Sequence, residues 1–167
     1  ENSKIGSNNY YGKSKIQIHK TLIQFSKIKK INCTNLRTFN VLGKDTKKNN
    51  IINYIKKNIN KKIIFKNINS ERDYMWIGDF LTCIEKIVLN NNKNYQAINI
   101  GTGKGTTIYK ILEICKKINN LKINLKKIKN ENKVYSFEKK ITNINRLKKI
   151  ISTNKFLIID ETIKKII

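Results

Sequence analysis

Proline is absent from this chain of 167 residues, and 36 basic residues face only 11 acidic ones. Without proline, glycine is left as the main punctuation of the chain, and there are only seven glycines. Arginine is also scarce, supplying three of the 36 basic residues. That shortage argues against a dedicated base-reading surface, which favours the planar fork of arginine over lysine. The three cysteines, Cys33, Cys83 and Cys115, have no metal-ligand spacing and lie in apolar stretches. They read as buried thiols in a reducing compartment, which implies a cytoplasmic protein, and they supply neither a disulfide framework nor a zinc site. The single histidine, His19, has no second ligand or acid partner in view, so neither a metal site nor a catalytic triad is supported. No apolar run reaches membrane-spanning length, and no secretory leader is visible.

What is abundant is lysine, isoleucine and asparagine, together 92 of the 167 residues. All three are read from A/T-rich codons, so base composition alone can generate this background. The net charge of +25 then has two readings, a polyanion-binding surface or drift on solvated faces. The lysines run from end to end without a basic tail or a basic–aromatic alternation, which favours drift. An apolar fraction of 39% suffices for a lean core carried mostly by isoleucine. Disorder is the competing expectation for so polar a chain. Against it, the apolar residues are periodic, and six glycines (Gly12, Gly43, Gly78, Gly101, Gly103 and Gly105) concentrate in a few short motifs.

The pattern alternates between strand and helix. Helical spacing predicts a helix over Tyr10 to Lys29, another over Ile51 to Ile59, and a third over Phe80 to Leu89 with Asp79 as its N-cap. A further helix starts at Thr106 or Thr107 and runs to about Ile118, and short ones lie around Arg146 to Ile151 and Glu161 to Ile167. Strands are expected at Ile31 to Phe39 (ending at Asn40), Lys62 to Lys66, Tyr74 to Ile77, Ala97 to Ile100 and Ile123 to Ile128. Such alternation argues an α/β fold.

Four motifs occur in order: Tyr11-Gly12-Lys13-Ser14-Lys15, Arg37-Thr38-Phe39-Asn40-Val41-Leu42-Gly43, Arg72-Asp73-Tyr74 and Asn99-Ile100-Gly101-Thr102-Gly103. The series resembles the C-terminal half of an extended short-chain dehydrogenase of the NAD-dependent sugar epimerase/dehydratase family, from about Asn8 to the end. The resemblance implies the latter part of a Rossmann-like parallel sheet plus a small α/β substrate-binding lobe. Residues 1–167 would then form one incomplete domain of an enzyme about twice this length, lacking its dinucleotide-binding half. It also implies NAD or NADP as cofactor, a nucleotide-diphosphate sugar as substrate, and a homodimer as the assembly to test.

Tyr11 and Lys15 are four residues apart, so a helix puts them on one face. A phenol, with an ordinary pKa of about 10, is a poor base at neutral pH, and a neighbouring ammonium favours its ionised form. By resemblance, Tyr11 exchanges a proton with the sugar while hydride passes to or from the nicotinamide, and Lys15 also binds the nicotinamide ribose. With so many lysines, a Tyr–Lys pair alone carries little; Gly12, Ser14 and the later motifs give it weight. Asn40 stands where an α/β sheet binds ligands, and the resemblance makes it a substrate contact; read alone, it is a turn residue. Arg72 would grip the substrate diphosphate bidentately, or else pair with Glu71 or Asp73 on the surface. Trp76-Ile77-Gly78-Asp79 would be a structural strand-to-helix junction.

Gly101-Thr102-Gly103-Lys104-Gly105 is neither a dinucleotide fingerprint nor a P-loop, because its glycine spacing fits neither. It matches the family's tight turn in the substrate lobe. The chain departs from the family in lacking the Ser/Thr that precedes the tyrosine and in having Lys44 where proline is common. If the first half is missing, the helix from Tyr10 should expose apolar residues on one face. The alternative function is a basic nucleic-acid-binding module, with the motifs coincidental.

Overall fold

The computed structural model describes residues 9–44, 50–58, 65, 67–90, 95–119, 139–152 and 155–167. The first helix, α1 (Tyr10–Lys29), starts where Asn9 Oδ1 accepts the Gly12 N–H at 2.7 Å, and it stops at Lys30, which adopts a left-handed conformation. The chain then enters β1 (Cys33–Thr38), which pairs in parallel with β4 (Tyr95–Ile100) through six residue pairs from Cys33↔Tyr95 to Thr38↔Ile100. The Phe39 N–H donates to the Ile100 carbonyl at 3.1 Å and closes that ladder.

Immediately afterwards the chain changes sheets. Asn40 was expected to end the first strand; instead it opens β2 (Asn40–Leu42), which pairs in parallel with β3 (Glu71–Trp76). The reason is the closed ladder at Phe39, beyond which the free backbone edge belongs to β3. The expected strand Tyr74 to Ile77 correspondingly begins earlier, so Arg72 and Asp73 lie within β3. That strand also pairs with β5 (Gly105–Thr107), antiparallel, and β6 (Lys139–Lys140), parallel. The result is a parallel two-stranded unit, β1–β4, beside a mixed four-stranded lobe.

Strand alternation in β3 divides the interior in two. Tyr74 and Trp76 pack against one core, made by Leu42, Ile52, Ile55, Ile111, Leu112 and neighbours from α2 (Ile51–Lys57), α4 (Ile108–Asn119) and α6 (Ile159–Ile166). Met75 enters the other, with Cys83, Ile87, Ile98, Ile100, Leu147 and Ile151 from α3 (Ile77–Leu89), β4 and α5 (Asn145–Ile151). Isoleucine fills most of both cores, as a sequence so rich in it requires.

Three local expectations are corrected. Asp79 is not the N-cap of α3: that position is Trp76, and Asp79 sits in the first turn, where its carboxylate suits the helix dipole and accepts the Leu157 N–H at 2.7 Å. Thr106 and Thr107 belong to β5, and Thr107 Oγ1 accepts the Lys110 N–H at 3.1 Å at the start of α4. Cys83 and Cys115 are buried, but Cys33, on the edge strand β1, is only half-buried. The expected strand Ile123 to Ile128 lies outside the described residues, as does Lys62 to Lys66 apart from Phe65, which packs edge-on against Tyr54.

Helix α1 presents an apolar stripe to solvent. Tyr11, Ile18, Phe25 and Ile28 are 73%, 48%, 47% and 76% exposed, and their spacing of seven, seven and three residues keeps them in one row. No described helix is long and apolar enough to cross a membrane.

Candidate active site

Tyr11 and Lys15 meet on the first turns of α1. The Lys15 ammonium lies 5.3 Å from the centroid of the Tyr11 ring, over its face. The helix supplies that proximity, and Ser14 Oγ donates to the Tyr11 carbonyl at 2.8 Å beside it. Such a pair can combine a phenolic proton donor–acceptor with a nearby cation.

Asn40 and Arg72 lie on the other sheet. The Asn40 side chain donates through Nδ2 to the Asp73 carbonyl at 2.9 Å, tying β2 to β3 at the point where the chain changes sheets. Arg72, half-buried, stands opposite Thr106 of β5 and Lys140 of β6, and its Nη1 donates to the Glu71 carbonyl at 3.2 Å. The Glu71 carboxylate pairs with Lys139 at 3.3 Å. Burial pushes the Tyr74 phenol above its usual range, and the Arg72 charge opposes that shift. Arg72 therefore places positive charge on the Tyr74 face of β3.

The sequence offered Asp73 only as a surface partner for Arg72; it is instead buried and organises this region. Fully buried, it accepts at Oδ1 from the Thr102 N–H (2.9 Å) and the Thr102 hydroxyl (2.6 Å). At Oδ2 it accepts from the Gly103 N–H (2.9 Å) and the Thr142 N–H (3.3 Å). One carboxylate thus joins β3, the turn after β4 and the approach to α5. Gly101 lies so close that a Cβ there would collide with Thr142 Oγ1 and sit 2.7 Å from Asp73 Oδ2, and Gly103 has φ +75°. A signal was available: an acid directly before the Tyr74-Met75-Trp76 run, with a Gly-Thr-Gly turn downstream whose amides need an acceptor.

A cavity of about 500 Å³ opens elsewhere, between Glu71, Tyr74, the Thr102–Thr107 segment and Phe156–Asp160. It contains none of Tyr11, Lys15, Asn40 and Arg72, and its charged lining balances Glu71 and Asp160 against Lys104 and Lys110. Chemistry, rather than concavity, therefore locates the candidate site at Tyr11 and Lys15.

The chain is similar in fold to several solved structures. The chain superposes on dTDP-glucose 4,6-dehydratase from Bacillus anthracis, solved with NAD, with a TM-score of 0.84 and 15% identity, covering 99% of this chain and 53% of that one. UDP-glucose 4-epimerase from Thermotoga maritima, solved with UDP-glucose, gives 0.79 and 19%, covering 93% and 51%. RMD from Pseudomonas aeruginosa, complexed with NADPH, gives 0.78 and 16%, covering 96% and 55%. The chain thus spans about half the length of these structures, and at such identity they establish the shared fold, a Rossmann-like sheet with its small lobe. No curated protein sequence matches the chain. The family model that does match covers residues 1–101, from before the Tyr11 helix through the Arg37, Arg72 and Asn99 motifs to the turn glycine Gly101, and by that match the chain belongs to the NAD dependent epimerase/dehydratase family.

Proposed function

We propose that this chain is the C-terminal portion of an NAD(P)-dependent sugar-nucleotide epimerase, dehydratase or reductase, with Tyr11 and Lys15 as its proton-transfer pair. The observation that carries the reading is the stacking of Lys15 over Tyr11 on α1, within the family-matched residues. Neighbours of the same fold were solved with NAD, NADPH or UDP-glucose, which supports a dinucleotide cofactor and a nucleotide-diphosphate sugar here.

The residues present fit one end of such a cofactor. Tyr11 and Lys15 offer a hydroxyl and an ammonium suited to the ribose of a nicotinamide nucleoside. The Gly101–Gly103 turn does not fit its pyrophosphate, because the Asp73 carboxylate already takes the Thr102 and Gly103 amides. That turn is therefore not a glycine-rich phosphate cradle of the usual kind. When bound, the nicotinamide supplies the hydride acceptor and donor.

Tyr11 takes the proton of a sugar hydroxyl and returns it to the keto oxygen. Lys15 sets its ammonium over the Tyr11 ring and holds the ribose. Arg72 contacts the diphosphate, and Asn40 contacts the sugar nucleotide from the start of β2. With Tyr11 73% exposed, the site needs a cover. The dinucleotide-binding half or a second copy of the chain, as a homodimer, is proposed to lie on the α1 stripe. Three free thiols suit a reducing, cytoplasmic setting.

The test joins this chain to a family dinucleotide-binding half and assays turnover of nucleotide sugars. Tyr11→Phe should lose on the order of 10²–10⁴ in rate with sugar-nucleotide binding retained. Lys15→Ala should lose rate and cofactor affinity together. Near-normal turnover by the Phe variant would exclude Tyr11 as the proton-transfer group.

A further inference from the structure

The chain's single histidine lies in a polar cluster apart from the groups above. His19 of α1 places Nδ1 2.6 Å from the hydroxyl of Tyr95, the first residue of β4. Asn35 of β1 directs Nδ2 at both, 3.4 Å from His19 Nδ1 and 3.4 Å from the Tyr95 oxygen. The His19 and Tyr95 rings meet edge to face with centroids 5.7 Å apart. An amide nitrogen donates and cannot accept. All three contacts are met together when His19 Nδ1 is unprotonated and accepts from the Tyr95 hydroxyl, which is the neutral imidazole with its proton on Nε2.

Its position gives it leverage. Helix α1 packs on β1 and β4, yet only Ser26 of its 20 residues is fully buried. Ile16, Leu22 and Ile23 are half-buried beside it, and the three-residue polar contact adds to that attachment. Among the described residues, the charge that acts on His19 is Arg37 from β1; Tyr95 of β4 faces it with Cys33 in register, and Lys15 and Lys20 are its neighbours in sequence on α1. None of these is a carboxylate that would welcome an imidazolium.

We propose that His19, Tyr95 and Asn35 form a proton-sensitive clasp that fastens α1 to the β1–β4 edge while His19 is neutral and loosens it when His19 is protonated. A proton on Nδ1 faces the Asn35 amide hydrogens, forces the Tyr95 hydroxyl to reverse, and adds a cation near Arg37. Burial, and then the Arg37 charge, hold the imidazole below its ordinary 6.5. A depressed folded-state value means that the clasp's stabilisation is complete above 6.5 and is lost as pH falls through the folded value. Tyr11 and Lys15 lie eight and four residues earlier on the same helix, so the clasp also governs how firmly they are held. It rests on its own geometry, whatever chemistry those two residues perform.

Because the histidine is unique, its ring resonances in the 167-residue chain are unambiguous by nuclear magnetic resonance. The nitrogen shifts at neutral pH should report the Nε2–H tautomer, and the titration midpoint should fall below that of the urea-unfolded chain. Hydrogen exchange of α1 amides, corrected for the intrinsic pH dependence and referenced to α3, should quicken by about 2–10-fold below that midpoint, the range for one net hydrogen bond. Tyr95→Phe should raise the midpoint and remove the pH step in α1 exchange. An Nδ1–H tautomer, a midpoint at or above the unfolded value, or α1 exchange indifferent to His19 protonation would each overturn the clasp.

Discussion

Asp73 binds Thr102 twice through one oxygen, accepting the backbone N–H at 2.9 Å and the hydroxyl at 2.6 Å. The contact spans 29 residues of sequence and fixes the turn after β4 against β3. Both β1 and β4 hand the chain over to the lobe near this point, at Asn40 and at Gly101. The buried carboxylate is therefore a hub of the architecture and, through the turn it orders, fixes the ground on which Asn40 and Arg72 stand. Removing it should be severe. Asp73→Ala leaves the amides of Thr102, Gly103 and Thr142 without their acceptor, at a cost of about 3–5 kcal/mol, the range for breaking a buried charged network. Urea unfolding should show a large fall in midpoint; a loss under 1 kcal/mol would mean that water replaces the carboxylate at little cost.

Close approach at the same hub makes a second expectation. A Cβ on Gly101 would collide with Thr142 Oγ1 and press on Asp73, so Gly101→Ala should cost about 1–3 kcal/mol by overpacking. Among the described residues, Thr142 Oγ1 is buried with no hydrogen-bond partner. Thr142→Val, which removes that hydroxyl at the same shape, should thus be neutral or stabilising in thermal unfolding. Marked destabilisation by valine would show that the hydroxyl is hydrogen-bonded in solution.

Arg72 and salt separate the enzyme reading from a nucleic-acid module. In the reconstituted enzyme, Arg72→Ala should weaken a nucleotide-diphosphate sugar by about 1.5–3 kcal/mol, the range for a charge-assisted contact, while leaving a nucleoside without phosphates unaffected. Calorimetric titration reads the difference. Binding of a labelled duplex should be indifferent to sequence and nearly abolished between 50 and 200 mM salt, the range over which about 10³-fold losses are common for purely phosphate contacts. Salt-resistant, sequence-selective duplex binding would reverse the assignment.

Thiol chemistry should follow burial. The Cys83 thiol is pushed up to about 11 by burial and then by the Asp79 charge, and burial likewise pushes Cys115 to about 11. With folded values above the ordinary 9, the folded state keeps these protons where the unfolded chain has lost them. Their contribution to stability is complete below pH 9 and falls as pH rises toward 11. A thiol reagent at pH 8 should modify half-buried Cys33 first and reach Cys83 and Cys115 only after denaturant is added. Mass spectrometry of the labelled chain checks the order, and early modification of Cys115 would contradict the packed core.

Local rules carried the sequence a long way. The Tyr11–Lys15 pairing follows from helical periodicity, and the longer described helices were legible from apolar spacing, which is encoded within a few residues, although the start of α3 was not. The parallel α/β class followed from alternation, and the family from four ordered motifs. What the sequence could not decide was partnership across distance. Nothing near Asn40 announces that the ladder closes at Phe39 and that the next residue joins a different sheet. The Gly-Thr-Gly turn hints that its amides need an acceptor, yet no local pattern says that Asp73 serves amides 29 and 69 residues away. A strand's neighbours, and the burial that makes a single carboxylate decisive, are set by which surfaces close on one another, and that closure exists only in the folded chain.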